Sequence, residues 1–280
     1  MIRIENLKKR YKKIDALNSV SLHVKAGELF AYLGPNGAGK TTTIQILTGL
    51  TALTSGDAWL NGFHIEKQSI KAKTQCGIVP QSINLDQELS VFENLDIHGR
   101  LFHMRKKDRV SKIDTMLEYV DMGDRRSSPV KQLSGGMKRR VMIARAMVHS
   151  PKILFLDEPT VGLDAKIRRR IWALIKKIQQ EGTTIFLTTH HIEEAEFLAQ
   201  RTAFLDEGKI VAVDSPEKLM QQIGSWAIDK VMNDQMKTLY FKTREEARQY
   251  AGENRENIPF TLRRVNLEDA FLEMTGKKVS

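Results

Sequence analysis

The nine residues Gly34-Pro35-Asn36-Gly37-Ala38-Gly39-Lys40-Thr41-Thr42 form a complete G-x-x-x-x-G-K-[ST] phosphate-binding loop. Its surroundings fit. The apolar, strand-like stretch Glu28-Leu29-Phe30-Ala31-Tyr32-Leu33 runs into it, and the helical pattern Thr42-Thr43-Ile44-Gln45-Ile46-Leu47-Thr48 runs out of it. Glycines let the backbone curl so that successive N–H groups converge on an anion, and the positive end of the following helix favours negative charge at the same point. In such a loop Lys40 reaches the β- and γ-phosphates and the Thr41 hydroxyl holds Mg²⁺. A chain built this way must place a strand, a tight turn and a helix in immediate succession. This points to an α/β fold with a parallel sheet.

The acidic counterpart lies far downstream. Ile153-Leu154-Phe155-Leu156 reads as a strand buried on both faces, and Asp157-Glu158 follow at its exit. Open α/β sheets bind their ligands at the carboxyl ends of the strands. There Asp157 can hold Mg²⁺ through water, and Glu158 can orient an attacking water or take its proton. Thr183 to Thr189 is a second buried strand, with His190 at its exit and therefore at the same sheet edge. Cys76-Gly77-Ile78-Val79-Pro80-Gln81 reads as a third, ending on Gln81, whose side chain matters only if that strand lies beside the phosphate loop. Val130 to Arg140 contains the turn Ser134-Gly135-Gly136, which opens a helix with Ser134 as its N-cap. Two glycines at a helix start make a second anion site, although a merely flexible helix start reads the same way. Tyr11 sits in the basic cluster Lys8 to Lys13, where it is either a half-exposed strand aromatic or a platform for adenine.

The rest of the chain sorts by periodicity. Residues 2–33 resemble short strands joined by tight turns. From about 85 to 150 strand signals vanish and helical periods dominate, as in Val110-Ile113-Met116-Leu117-Val120, which predicts an inserted helical subdomain. Ile65 to Thr74, Lys166 to Gln180 and Ile192 to Ala199 read as helices, and Arg201 to Val213 as a hairpin. Beyond Pro216, expected strands over Lys237–Lys242 and Pro259–Val265 and helices from Thr243 and over Leu267–Met274 predict a small α+β extension spanning 216–280. The main domain then covers 1–215.

With 280 residues, 41% hydrophobic and 28% charged, the chain can bury a sizeable core. No run approaches the ~18 apolar residues of a membrane span. Met1 to Leu7 alternates like a strand and lacks the apolar run of a leader. The one cysteine, Cys76, cannot form an internal disulfide. These features predict a cytosolic protein. The net charge of +10 is dispersed, so it marks solvated faces or a nearby anionic membrane and no nucleic-acid stripe.

Taken in order, the phosphate loop, Gln81, Leu133-Ser134-Gly135-Gly136, Asp157-Glu158, Gly162-Leu163-Asp164 and His190 resemble the nucleotide-binding subunit of an ATP-binding cassette (ABC) transporter. The resemblance covers about residues 1–215, and Leu133-Ser134-Gly135-Gly136 is what separates this family from other P-loop ATPases. It implies a RecA-like core with an antiparallel β subdomain and the helical insertion. It also implies ATP and Mg²⁺ as cofactors and a head-to-tail pair of cassettes, with each ATP between the phosphate loop of one and Ser134-Gly135-Gly136 of the other. By the same resemblance Tyr11 stacks on adenine, Gln81 is the lid glutamine that senses Mg²⁺ and the membrane partner, Asp164 communicates across the dimer, and His190 is the switch histidine on the γ-phosphate. Met137-Lys138-Arg139-Arg140, Thr189 to Glu196 and Leu267 to Leu272 further resemble the ABC-2-type export group. Members of that group sit at the cytoplasmic face of the membrane and drive a separate polytopic permease. Met137 departs from the glutamine that many cassettes carry, and His191 stands where an aromatic is common.

A soluble cassette ATPase acting on nucleic acid or ribosomes is the rival class. Its repair members carry a very long coiled-coil insertion between the lid glutamine and the signature. Its translation members usually carry two cassettes per chain. This chain has a short gap and one cassette.

Overall fold

Two adjacent strands of the central sheet are buried on both faces, and their apolar side chains alternate between two cores. In the computed structural model, which describes residues 1–232, 235–253 and 260–276, the chain begins with β1 (Ile2–Tyr11), β2 (Ile14–Val24), β3 (Leu29–Leu33) and α1 (Lys40–Leu47). It continues through β4 (Ser55–Leu60), β5 (Phe63–His64), α2 (Ser69–Thr74) and β6 (Cys76–Val79). Three helices follow, α3 (Val91–Leu101), α4 (Lys106–Tyr119) and α5 (Gly135–Met147). Then come β7 (Ile153–Asp157), α6 (Ala165–Gln180), β8 (Thr184–Thr189), α7 (Ile192–Leu198), β9 (Arg201–Asp206) and β10 (Lys209–Asp214).

The six-stranded sheet has the order β10-β9-β3-β8-β7-β6, parallel except for β10, which pairs antiparallel with β9 as the expected hairpin. Along β7, Ile153 and Phe155 enter one core while Leu154 and Leu156 enter the other. Along β8, Phe186 joins the first pair, and Ile185 and Leu187 join the second. This period of two, with apolar side chains on both faces through Ile153–Leu156 and Ile185–Leu187, is what a sheet covered on both sides requires. One cover is the four-stranded antiparallel sheet β2-β1-β4-β5, which contributes Ile2, Ile4, Leu7, Leu17, Val20 and Val24 to the first core along with α1. The other is helical: Val91, Leu95, Ile113, Leu117, Val141, Met142 and Ile175 from α3 to α6 fill the second. Each fully buried side chain of this size contributes about 1.5–3 kcal/mol.

β1 and β2 run for 10 and 11 residues, longer than the short strands the sequence predicts. Left-handed residues at Asn6 and Ser19 and register shifts in the β1–β2 ladder break their alternation, which shortens the visible period. Of the helix expected over 65–74 only Ser69–Thr74 forms. Its upstream part is held off by His64, whose Nε2 pairs with Asp57 at 2.8 Å and whose Nδ1 accepts the amides of Glu66 and Lys67.

The C-terminal region comprises α8 (Pro216–Ile223), β11 (Trp226–Met232), β12 (Gln235–Phe241), α9 (Arg244–Glu253), β13 (Phe260–Arg264) and α10 (Leu267–Thr275). β11 sits between β12 and β13 in a small antiparallel sheet. The strand expected from Pro259 is described from Phe260 onward; Pro259 lies outside the described residues. α8 and α10 do not stand apart: Leu219, Leu267, Ala270 and Phe271 share a core with Leu33, Ala195 and Phe204. Arg263 ties the small sheet to α10, bonding Asp229 at 2.6 Å and Asp269 at 2.6 Å.

Candidate active site

The phosphate loop spans the turn from β3 to α1 as the sequence predicts. Gly34 is packed so tightly that a Cβ there would come 2.3 Å from the Leu205 carbonyl. Gly39 takes φ +107°, and a Cβ on it would meet the Ala16 carbonyl at 2.5 Å, so only glycine fits. Gly34, Ala38, Gly39 and Lys40 are buried, Pro35 is half-buried, and Asn36 and Gly37 are exposed at the loop tip. No side chain caps α1 and no acid lies in its first turn, so its N-terminal dipole and amides are left for an anion.

Five of the expected residues converge at the sheet edge. Lys40 Nζ donates to the carbonyls of Gly34 at 2.8 Å and Pro35 at 3.1 Å, and pairs with Glu158 Oε1 at 3.1 Å. The other Glu158 oxygen accepts from His190 Nδ1 at 2.7 Å. Asp157 Oδ1 accepts from the Thr41 hydroxyl at 3.2 Å and from the Thr188 hydroxyl at 2.5 Å. Both acids are 4% exposed. Both lie at the carboxyl end of β7, where Asp157 is in register with Thr188 on the adjacent parallel strand β8. Glu158 turns out of the strand at φ +49°, a conformation non-glycine residues avoid, and its amide donates to the Thr188 carbonyl at 3.0 Å. That turn swings the Glu158 side chain away from Asp157 and onto Lys40 and His190. Thr42 is half-buried on the first turn of α1. The His191 ring lies tilted against His190 at 4.1 Å between centroids, but of the two rings Glu158 bonds His190. Burial, and then the neighbouring His190, hold the His191 ring below the ordinary histidine range.

The remaining expected residues lie elsewhere. Gln81 follows β6, which is separated from β3 by β8 and β7, so its strand borders the acid-bearing strand and not the phosphate-loop strand. Its side chain is exposed. Ser134 caps α5, accepting the Met137 amide at 3.3 Å, and Gly136 packs where a Cβ would come 2.5 Å from Ile167 on α6. Asp164 caps α6, accepting the Ile167 amide at 2.9 Å. Tyr11 ends β1, 42% exposed, with Lys9 Nζ 4.7 Å from its ring centre. Among the described residues no hydrogen bond or ion pair joins Ser134, Gly135, Gly136, Asp164 or Tyr11 to the phosphate loop.

Two contributors escape a sequence reading. Thr188 looks like a strand residue; its signal is a polar side chain inside an otherwise apolar buried run. Arg139 looks like part of the basic run Lys138-Arg139-Arg140, yet it is 4% exposed and its guanidinium donates to the carbonyls of Pro80 at 2.7 Å and Gln81 at 2.9 Å.

The donor set at the acids is all oxygen: the Asp157 carboxylate and the Thr41 hydroxyl. Among the described residues no three His, Cys, Asp or Glu side chains cluster as a metal cage. One carboxylate and one hydroxyl are what Mg²⁺ takes when substrate phosphates and waters complete its shell, so the residues fit that ion.

Comparison with known proteins identifies the family. The ABC transporter family profile matches residues 17–161, more than half of the chain. The Nod factor export ATP-binding protein I of Cupriavidus metallidurans is 36% identical over 298 residues, covering 100% of this chain and 98% of that one. The linearmycin resistance ATP-binding protein of Bacillus subtilis is 39% identical over 224 residues, covering 80% and 72%. A solved ATP-binding cassette, a dimer in a post-hydrolysis state bound to ADP and Pi, superposes with a TM-score of 0.69 at 30% identity, covering 77% of this chain and 98% of its own. With its phosphate loop, buried acid pair and histidine assembled at one sheet edge, the chain belongs to the ABC transporter family, as an ATP-binding and ATP-hydrolysing subunit.

Proposed function

We propose that the chain drives export through a separate polytopic membrane permease, bound at the cytoplasmic face of the membrane and working as a pair of cassettes. The observation that carries this reading is the separation of two anion-binding helix starts within one chain. The phosphate loop at α1 has its own acids and histidine, whereas Ser134-Gly135-Gly136 at α5 makes no bond to it. A second copy or a paralogue supplies the missing half to each site. The names of the relatives, Nod factor export and linearmycin resistance, support export as the direction. Among the described residues no helix is long and apolar enough to cross a membrane. We take 1–215 as the ATPase unit, with its helical insertion at about 85–150, and 216–280 as the α+β extension.

The residues divide the chemistry. The loop amides and Lys40 hold the β- and γ-phosphates and neutralise charge that grows in the transition state. Thr41 and Asp157 would hold Mg²⁺, which supplies further charge neutralisation on the phosphates when bound. Glu158 orients the attacking water and accepts its proton, and His190, bonded to the same carboxylate, aligns it and reaches the γ-phosphate. Phosphoryl transfer of this kind depends on positioning and electrostatics more than on covalent chemistry. Tyr11 receives adenine. Gln81 senses the metal and the permease, for which 82–104 forms the docking segment. Asp164, at the start of α6, faces the partner cassette. ATP closes the pair and hydrolysis reopens it, so the work comes from contacts that differ between the two states.

The test is a gentle-detergent pull-down of tagged Glu158→Gln protein from native membranes with ATP present. A stoichiometric polytopic membrane protein is the expected companion. A soluble complex with ribosomes or DNA, and no membrane protein, would move the chain to the class of soluble cassette ATPases.

A further inference from the structure

Glu194 is the most deeply buried acid described in this protein, with 0% of its surface exposed. It stands in an acid-rich run, Glu193-Glu194-Ala195-Glu196, whose first member has a side chain 84% exposed. A carboxyl removed from water is costly unless its oxygens are used. Glu194 Oε1 is used twice: it accepts the Thr160 hydroxyl at 2.8 Å and the Trp172 indole N–H at 2.8 Å, while Oε2 takes no bond. Burial pushes the carboxyl above its ordinary range against the pull of the Thr160, Thr189 and Trp172 donors.

The two donors to Oε1 lie in different directions. Trp172 is on α6 and stacks on Phe197, away from the nucleotide site. Thr160 is in the turn that carries Glu158, two residues downstream of it, and that turn is closed by the Val161 amide on the Glu158 carbonyl and the Leu163 amide on the Thr160 carbonyl. Glu194 itself lies four residues after His190. The last ladder pair between β7 and β8 is Asp157 with Thr188; beyond it the two segments are no longer paired in the ladder. Two cross-links then span them: Glu158 with His190 at 2.7 Å, and Thr160 with Glu194 at 2.8 Å. Together they close a ring through backbone and side chains. Glu158 sits in this ring at φ +49°, a strained conformation that persists only where its surroundings hold it.

We propose that Glu194 is a positioning residue for ATP hydrolysis, which through the Thr160 hydroxyl fixes the turn bearing Glu158 relative to His190. The inference rests on the reading of Glu158 and His190 as the groups that act at the γ-phosphate. The geometry separates the two bonds to Oε1: the one from Thr160 leads to the turn bearing Glu158, and the one from Trp172 leads to α6.

The experiment is steady-state ATP hydrolysis by the full chain carrying Thr160→Val, Thr160→Ser, Trp172→Phe or Glu194→Gln, with Glu158→Gln in parallel. Thr160→Val and Trp172→Phe each remove one hydrogen bond from the same oxygen and keep the side-chain shape. Misplacement of a reacting group costs rate more than binding, so Thr160→Val should lower kcat by about tenfold or more with KM for ATP little changed. Thr160→Ser should restore the rate, and Trp172→Phe should stay within about twofold of the parent because no positioned group moves. Glu194→Gln, which keeps an acceptor at Oε1, should remain active. Equal losses from Thr160→Val and Trp172→Phe, or a Thr160→Val enzyme with unchanged kcat, would overturn the positioning role. If Glu158→Gln itself turns over ATP normally, the reading of Glu158 fails; if it is inactive while Thr160→Val is normal, only the role of Glu194 fails.

Discussion

Lys40 and Glu158 form an ion pair of 3.1 Å in which the lysine side chain is 6% exposed and the carboxylate 4%. They come from opposite ends of the fold's logic, one from the turn after β3 and the other from the turn after β7. The pair joins the phosphate loop to the residue we propose orients the attacking water. Lys40 also satisfies two loop carbonyls, so its ammonium is fully committed within the site. Removing one partner of a buried pair leaves an uncompensated charge and typically costs about 3–5 kcal/mol. Lys40→Ala should therefore abolish ATP hydrolysis and also lower stability in urea unfolding. The double change Lys40→Met/Glu158→Gln, neutral on both sides, should recover much of the stability and none of the activity. A Lys40→Ala protein with normal turnover would remove Lys40 from the chemistry. Stabilities that simply add would deny the coupling.

Arg139 sets the path of the chain after β6. Its fork spans two successive carbonyls, Pro80 and Gln81, and three residues further on Arg145 donates to the Asn84 carbonyl at 2.9 Å. Both arginines belong to α5, the helix that Ser134-Gly135-Gly136 opens, so the segment carrying Gln81 is fastened to that helix. Lysine offers a point charge in place of a planar fork and cannot reproduce the two parallel bonds. Arg139→Lys should cost about 1–2 kcal/mol. It should also raise amide hydrogen exchange over residues 81–84 while the rest of α5 stays protected. Unchanged exchange there would show that other contacts hold the segment.

The parts of this fold that sequence reveals are those with local causes. Gly34 and Gly39 are legible because close backbone approach and positive φ admit nothing else, and the buried runs at Ile153 and Thr184 because both faces must be apolar. Ser134 declares itself as a cap by chemistry and position. Arg139 and Glu194 do not, because their burial depends on which side of α5 and α7 meets the rest of the molecule. In the sequence each is one more charge in a charged run. The placement of Gln81 depends on strand order, a non-local property that no spacing encodes. β11 is not legible either: Trp226-Ala227-Ile228-Asp229-Lys230 carries two charges, and at the centre of its sheet Asp229 is paired by Arg263 from β13 and accepts the Thr238 hydroxyl from β12.

His98 and His149 make stability depend on pH. Their rings lie 5.4 Å apart, and His149 stacks on Phe102 at 3.7 Å while its Nε2 bonds the Cys76 carbonyl at 3.1 Å. Burial pushes His149 down to about 4, and burial together with the neighbouring His149 and Arg145 pushes His98 down to about 3. The unfolded chain takes up protons near the ordinary value of about 6.5, whereas the folded chain refuses them until far lower pH. Between about pH 6.5 and 4 the unfolded state therefore binds more protons. Stability is complete above this window and is lost as pH falls through it, by up to about 1.4 kcal/mol per pH unit for each histidine. His149→Phe keeps the stack on Phe102 and removes one titrating site. Urea unfolding at pH 7, 6 and 5 should show the parent losing stability toward pH 5 and the His149→Phe protein losing distinctly less. Parallel pH profiles for the two proteins would show that His149 titrates alike in both states and that the acid sensitivity arises elsewhere.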